Sequence, residues 1–322
     1  MSVLPCKVRL LWAYPLLAAL AGCGVTAGQS GEHDADSRPN QVNIAGRSVN
    51  VVATTSMVAD LARHVGGDHV TVTALMGEGV DPHLYKATSG DVARLSRADL
   101  ILYSGLHLEG KMGEVFSRLA RKKRVVAVTD DLDRDRLLKV GGEQYDPHVW
   151  FDVALWSATL PVVERALADV DPAHADDYRR SAEQYGVELM RLDEECREQI
   201  ASITESRRVL VTAHDAFHYF GRAYDIEVQA IQGISTQAEA AVSKINELVE
   251  LLSERRIKAV FVETSVSERN IRALVEGCAA RGHHVEIGGQ LYSDAMGPSD
   301  TPEGAYIGMV RHNVKTITQA LR

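Results

Sequence analysis

Short β-branched runs alternate with longer amphipathic segments along most of the chain. The first run, at residues 49–54, is followed by a helical spacing of apolar residues from Met57 to Val65. Such alternation is typical of α/β domains, whose strands pair mostly in parallel. Further strands are predicted at 70–75, 100–103, 125–128, 208–212, 227–231, 259–263 and 284–287. Further helices are predicted near 90–96, 109–121, 215–224, 238–254 and 268–281.

A long helical segment separates the two halves of this pattern. Pro172 marks its start, and residues 173–203 contain no further proline and one glycine, Gly186. About 30 helical residues extend roughly 45 Å, enough to span both halves, although a break at Gly186 into two helices is the alternative. The sequence therefore predicts an N-terminal α/β lobe at 48–171, a linking helix at 172–203 and a similar C-terminal α/β lobe at 204–322.

The N-terminus follows a different pattern. Lys7 and Arg9 precede an apolar stretch at 10–20 that is too short to span a bilayer as a mature helix. Leu-Ala-Gly-Cys then ends at Cys23 and resembles the bacterial lipobox. We predict a lipoprotein signal peptide at 1–22, a lipid on Cys23 and a flexible tether at 23–47. An ordinary signal sequence followed by a chance cysteine is the alternative.

Composition narrows the class of protein. With 45% hydrophobic and 25% charged residues, the chain has neither a disordered nor a fibrous bias. Without the first 22 residues, 33 basic side chains face 44 acidic ones, a net charge of −11, which argues against nucleic acid as a partner. Cys196 and Cys278 lie far apart in helical patterns, which favours two buried thiols over a disulfide.

The sequence Asp-Pro-His occurs twice, at 81–83 and at 146–148. Each copy follows a turn-forming stretch, residues 76–80 in one case and 140–145 in the other, so both histidines are predicted to lie on loops. Proline restricts the preceding aspartate and fixes its own φ, so each motif presents its imidazole from a backbone with little freedom. That property suits a preorganised metal ligand.

A third histidine and an aspartate complete a candidate ligand set. His214 follows the strand predicted at 208–212, at the edge where ligands collect in open α/β sheets. Asp294 is the only carboxylate in the loop predicted at 288–297. Three imidazoles and one carboxylate satisfy Zn²⁺ and could also hold Mn²⁺, Fe²⁺ or Co²⁺. Glu263, at a strand end, is a candidate hydrogen-bond partner of a ligand imidazole or a cap of the next helix.

These motifs resemble those of the cluster A-I metal-binding lipoproteins of ABC importers, the TroA/ZnuA-like family, and the TroA branch fits best. Further stretches that look like family motifs are 105–112, 146–152, 212–217, 232–236 and 291–297. The resemblance implies two α/β lobes joined by one rigid helix, and a receptor that delivers zinc or manganese from the cleft between them to an ABC permease. The metal ligands that it implies are His83, His148, His214 and Asp294.

The resemblance leaves the choice of metal open. Zinc-specific members often carry a loop rich in histidine and acids before the second metal histidine, but no histidine occurs between His107 and His148. Manganese-specific branches tend to have glutamate where His214 stands. His218 and the pair at 283–284 are set aside as ligands, and His107 is given at most a supporting role near the cleft.

Two rival functions are weighed against the receptor. A metallohydrolase could use the same four residues with a bound water, but all four positions serve as ligands and no glutamate adjoins them as in an HExxH motif. A surface adhesin could coexist with metal capture. We expect a receptor without catalytic activity that acts as a monomer, lipid-anchored at the outer face of the cytoplasmic membrane, periplasmic or at the cell surface.

Overall fold

Strands and helices alternate through the computed structural model, which describes residue 44 and residues 46–322. The predicted signal peptide, Cys23 and most of the tether lie outside the described residues. The strands are β1 Val49–Ala53, β2 Val70–Ala74, β3 Leu100–Tyr103, β4 Arg124–Ala127, β5 Lys139–Gly141, β6 Gln144–Tyr145, β7 Val209–Thr212, β8 Glu227–Ala230, β9 Ala259–Glu263 and β10 Glu286–Leu291. The helices are α1 Ser56–Gly66, α2 Ser89–Arg97, α3 Gly113–Leu119, α4 Val153–Ser157, α5 Leu160–Val170, α6 Ala175–Ala201, α7 His218–Tyr224, α8 Val242–Arg255, α9 Arg269–Ala280 and α10 Tyr306–Leu321.

The two halves of the chain share one strand arrangement. The first four strands form a parallel sheet in the order β2-β1-β3-β4. In the second half, β7 pairs with β8 and β9 with β10, again in parallel, and β7 lies beside β9. The second half thus has two separate hydrogen-bonded pairs that lie side by side in the order β8-β7-β9-β10, which parallels the order of the first half. The predicted α/β fold class is confirmed. Because parallel strands end at the same edge, the loops that follow them gather there.

Local sequence explains how the first elements form. Val51 and Val52 in β1 point to opposite faces of the sheet and are at most 2% exposed, as expected for a parallel strand covered on both faces. Thr55 then caps α1, because its hydroxyl accepts a hydrogen bond from the N–H of Val58 at 3.4 Å. Leu61 lies on the face of α1 that enters the main hydrophobic core.

The linking segment is one continuous helix. A short 3₁₀ helix at Pro172–His174 precedes α6, whose 27 residues run through Gly186 without a break. Helix α6 packs against α1, α4 and α5 in the first half and against α10 in the second. At about 1.5 Å per residue it is roughly 40 Å long. One rigid element therefore contacts both halves.

Six segments differ from the sequence prediction. Residues 140–145, read as a turn, belong to the short antiparallel hairpin β5–β6. Strand β10 runs to Leu291, so the loop predicted at 288–297 begins only after residue 291. A Cβ on Gly288 would lie 2.6 Å from the Cβ of Ala320, so glycine at this position allows α10 to pack closely and does not mark a turn. Helix α7 starts at His218 and not near residue 215. Helices α4, α5 and α10 were not predicted.

Both cysteines in the described residues, Cys196 and Cys278, are free and buried. This agrees with the prediction of two thiols rather than a disulfide. None of the helices within the described residues combines the length and the hydrophobicity that crossing a bilayer requires.

Candidate metal centre

Four side chains from four different loops meet where the strands of the two halves end. His83 lies between β2 and α2, His148 follows β6, His214 follows β7 and Asp294 follows β10. Each is at most 3% exposed. One nitrogen or oxygen atom from each residue lies within 4.8 Å of the others. The structure thus brings together all four residues that the sequence selected as ligands.

The distances between the facing atoms suit a small divalent cation. Nε2 of His83 lies 3.2 Å from Nε2 of His148. Asp294 places Oδ1 at 3.5 Å from Nε2 of His148 and Oδ2 at 3.4 Å from Nε2 of His214. Tetrahedral bonds of about 2.0–2.1 Å to Zn²⁺ put neighbouring ligand atoms roughly 3.3 Å apart. These three spacings are close to that value, and all four ligand atoms lie within 4.8 Å of one another.

Two atoms of this group have no hydrogen-bond partner within the described part of the chain. They are Nε2 of His214 and Oδ1 of Asp294, and both are buried. Buried polar atoms in proteins are almost always paired. A cation held between them would satisfy both, so the donor set fits a metal ion.

In each Asp-Pro-His motif, the aspartate carboxylate accepts a hydrogen bond from the backbone N–H of the histidine. The N–H of His83 donates to Oδ1 of Asp81 at 2.8 Å, and the N–H of His148 donates to Oδ1 of Asp146 at 2.9 Å. Oδ1 of Asp146 also lies 2.7 Å from Nδ1 of the His148 ring. Asp81 instead accepts a hydrogen bond from the hydroxyl of Thr236 at 2.5 Å. Only the second motif therefore orients its own imidazole.

Glu263, at the end of β9, contacts His214 with both carboxylate oxygens. Oε1 accepts a hydrogen bond from the N–H of His214 at 2.9 Å, and Oε2 lies 2.5 Å from Nδ1. A carboxylate on Nδ1 fixes the tautomer and aims Nε2 at a metal. The alternative role as a helix cap is not what the structure shows, because Glu268 occupies the N-cap position of α9.

The charges in this group shift one another's pKa values. Burial alone would lower the pKa of His148, but the negative charges of Asp146 and Asp294 and the contact of Asp146 with Nδ1 outweigh it and raise the pKa to about 9. Neighbouring carboxylates likewise overcome burial and raise the pKa of His214. For His83 burial dominates, and its pKa falls to about 4. Burial would raise the pKa of Asp294, but the two cationic imidazoles lower it.

The histidines set aside from the sequence lie outside this group. Nε2 of His218 pairs with Oδ1 of Asp215 at 2.7 Å at the start of α7. Nε2 of His283 lies 2.7 Å from the carbonyl oxygen of Ile257. His107 lines another cavity, of about 480 Å³, beside the ends of β3 and β4.

Asp146 is the functional residue that sequence reasoning missed. It belonged to a recognised motif, but the same aspartate in the other copy makes no ring contact, so the motif alone carried no signal for this role. The contacts between ligand loops, described below, were missed as well, because they join residues distant in sequence.

Comparison with known proteins decides the family. A family model described as "Zinc-uptake complex component A periplasmic", ZnuA, matches residues 51–320. The chain belongs to the ZnuA family. The manganese-binding lipoprotein MntA of Bacillus subtilis (strain 168) is 49% identical over 306 residues, which cover 94% of this chain and 95% of MntA. The zinc-binding protein TroA of Treponema pallidum (strain Nichols) is 47% identical over 271 residues, which cover 84% of this chain and 88% of TroA.

The solved structure of the periplasmic zinc-binding protein TroA from Treponema pallidum has the same fold. It matches with a TM-score of 0.83 and 47% identity, and the match covers 85% of this chain and 99% of the TroA chain. As a member of the ZnuA family, the chain is a substrate-binding component of a metal importer and not an enzyme. The hydrolase and adhesin alternatives are not favoured by these relatives.

Proposed function

We propose that this chain captures one divalent transition metal ion, zinc or manganese, and delivers it to an ABC permease in the membrane. The observation that carries the proposal is the meeting of three imidazole nitrogens and one carboxylate oxygen within 4.8 Å in a buried site. In this proposal the ion is cargo, and Fe²⁺ would suit the same donors. Its ligands are His83, His148, His214 and Asp294.

Capture of the ion couples the two halves of the chain. Two ligands come from the first half of the chain and two from the second. The ion would therefore tie together the ends of two proposed lobes, 48–171 and 204–322, joined by the linking segment 172–203. A permease that recognises both lobe surfaces would then distinguish the loaded chain from the empty one.

The donor set does not select between the two metals. At sites of this kind affinity rises from manganese to zinc, so a manganese receptor depends on metal availability or imposed geometry. Among the relatives, MntA is named for manganese and TroA for zinc. Elemental analysis of the chain recovered from its native cell envelope would identify the metal carried there.

We further propose a lipid anchor on Cys23 that holds the chain at the outer face of the cytoplasmic membrane. The name of MntA as a lipoprotein supports this, as does the lipobox-like sequence at the N-terminus. A monomer suffices, because all four ligands belong to one chain, and the acidic charge argues against nucleic acid as a partner. Replacing Cys23→Ala should abolish incorporation of labelled palmitate and release the chain from membranes, whereas Cys196→Ala should do neither.

Calorimetric titration of the purified, metal-free chain with Zn²⁺ and with Mn²⁺ tests the binding site. We expect one ion per chain. The double variant His83→Ala/His214→Ala should lose tight binding while its circular dichroism stays unchanged. The matched control His218→Ala/His284→Ala removes two histidines outside the site and should bind as the wild type does. Undiminished affinity in the first double variant would refute the proposed ligands.

A further inference from the structure

We infer that Trp150 and Tyr306 are positioning residues that set the spacing between two of the proposed metal ligands, His148 and Asp294. Neither residue belongs to the ligand set. The inference rests on the proposed function, since it concerns the geometry of that same site. Hydrogen bonds between protein residues of the two halves would then fix this geometry, in addition to the bonds made by the ion.

The first part of the link is a side-chain contact between the two ligand loops. The indole N–H of Trp150 donates to the carbonyl oxygen of Ser293 at 3.0 Å. Trp150 comes two residues after His148, and Ser293 directly precedes Asp294. Both partners are at most 1% exposed. One buried hydrogen bond thus joins the loop of a first-half ligand to the loop of a second-half ligand.

The indole also packs on a ligand directly. Its ring lies edge-on to the imidazole of His148, with 5.2 Å between the ring centroids and 71° between the planes. This contact restricts rotation of the imidazole. The same side chain therefore holds both the loop and the ring.

Tyr306 holds the backbone of Trp150 from the other side. Its hydroxyl donates to the carbonyl oxygen of Trp150 at 2.6 Å, and the residue is fully buried at the start of α10. Its backbone N–H donates to the carboxylate of Asp60 at 3.4 Å. That carboxylate also accepts a hydrogen bond from Tyr185 of α6 at 2.7 Å. The ligand loops are thereby tied to α1, the linking helix and α10.

Loss of a hydrogen bond in this link should alter the distances between the proposed metal ligands. Within the described residues, Trp150 is the one donor to the carbonyl oxygen of Ser293. Without the indole N–H, that buried oxygen would have to move to find a new partner. Metal sites require ligand distances to within about 0.2 Å, and loss of a residue that supports a ligand costs about 10- to 100-fold in affinity.

Trp156 supplies a matched control within the same core. It is fully buried, and its indole nitrogen has no hydrogen-bond partner among the described residues. Its ring lies 6.0 Å from that of Tyr306. Trp156→Phe therefore removes the same atoms as Trp150→Phe but breaks no hydrogen bond to a ligand loop.

The test uses Co²⁺ as the probe, because its visible absorption reports ligand number and geometry. The full chain and the variants Trp150→Phe, Tyr306→Phe and Trp156→Phe are each titrated with Co²⁺, and thermal unfolding is recorded for all. We expect Trp150→Phe to lose about 10- to 100-fold in affinity and to change the absorption bands. Tyr306→Phe should also lower the Co²⁺ affinity and change the absorption bands, but by less than Trp150→Phe does. Trp156→Phe should keep the wild-type spectrum even if it unfolds at a lower temperature.

The outcomes separate this inference from the proposed function. A wild-type spectrum and affinity in Trp150→Phe would overturn the positioning role alone, since the wild-type chain would still bind the ion. Equal spectral changes in Trp150→Phe and Trp156→Phe would also overturn it, because they would show a general effect of core packing. Failure of the wild-type chain to bind Co²⁺ at all would instead refute the proposed site.

Discussion

The two Asp-Pro-His motifs consist of the same three residues but work in different surroundings. In both, the aspartate accepts a hydrogen bond from the backbone N–H of its histidine, at 2.8 Å in the first and 2.9 Å in the second. Only Asp146 also contacts the imidazole of its own motif, whereas Asp81 turns its second oxygen to Thr236. The local sequence fixes the backbone of the motif, and the tertiary fold decides whether the aspartate orients the ring.

This difference gives the two histidines opposite acid–base properties. Carboxylates raise the pKa of His148 to about 9, while burial lowers the pKa of His83 to about 4. At neutral pH His83 already offers a lone pair, whereas His148 must lose a proton before it binds a cation. Identical motifs therefore supply one ligand that is ready and one that binds in exchange for a proton.

The largest expected effect tests the property that the two motifs share, namely that each supplies one histidine ligand. Either His83→Ala or His148→Ala should weaken zinc binding by about 100-fold or more. Each removes one of four ligands, and in four-ligand structural zinc sites the whole set contributes an apparent binding free energy of about 10–16 kcal/mol. Calorimetry against His218→Ala as control measures the loss. Wild-type affinity in only one of the two variants would show that only the other motif supplies a ligand.

The next effect tests the difference between the two motifs, which is the contact of Asp146, but not of Asp81, with the imidazole of its own motif. Asp146→Asn should lower zinc affinity by about 10- to 100-fold, because the amide no longer holds the imidazole of His148 as a charged acceptor. Asp81→Asn makes the same chemical change in a motif without a ring contact and should cost clearly less. Competition with a chelator of known affinity compares the two variants, and equal losses would contradict the assigned difference.

A smaller effect concerns pH. Because the pKa of His148 is raised to about 9 and that of His214 is also raised, zinc must displace protons from both at pH 7. For the proton on His148, affinity should fall by about ten-fold per pH unit as the pH drops below about 9. Displacement of the proton on His214 should steepen this fall. His83, with a pKa of about 4, should add nothing until the pH approaches that value.

Calorimetry in buffers of different ionisation enthalpy counts these protons. The charge of Asp146 helps to raise the pKa of His148. Zinc binding to the Asp146→Asn variant at pH 7 should therefore release fewer protons than zinc binding to the wild type. Asp81→Asn should release the same number. Binding without any proton release would contradict the electrostatic account.

The smallest effect tests the outer contacts of each motif. Thr236→Val removes the hydroxyl that donates to Asp81 and should cost about 1 kcal/mol of the free energy of unfolding. Tyr219→Phe removes a hydroxyl that donates to the carbonyl oxygen of Asp146 at 3.0 Å and accepts from the N–H of Leu138 at 3.0 Å, so it should cost about 2 kcal/mol. Urea denaturation measures this cost. Tyr219→Phe should disturb zinc binding more, because it acts on the motif that orients its ring.

Much of the fold could be predicted from sequence because its signals are local. The β-branched runs and the uninterrupted helical pattern after Pro172 gave the α/β alternation and the linking helix. His83 and His148 could be found because each belongs to an Asp-Pro-His motif, and His214 because it follows a strand, at the edge where the loops after parallel strands meet. Glycines misled the prediction in two places. Gly141 and Gly142 adopt positive φ at the tip of a hairpin, and Gly288 lies within a strand.

The remaining features depend on contacts between distant parts of the chain. Trp150 and Ser293 are 143 positions apart, and no periodicity links them. Helix α10 begins without a side-chain cap at Ala305, so no start signal marked it. The unequal roles of Asp81 and Asp146 could not be read from identical sequences, because the partners that separate them come from the folded chain.

X-ray absorption at the zinc edge tests the central claim most directly, because imidazole rings give a distinct scattering pattern that can be counted. The account predicts three imidazoles and one carboxylate oxygen at about 2.0–2.2 Å in the wild-type chain, and two imidazoles in His83→Ala. Fewer than three imidazoles in the wild type, or an unchanged number in His83→Ala, would contradict the convergence of both Asp-Pro-His motifs on one ion.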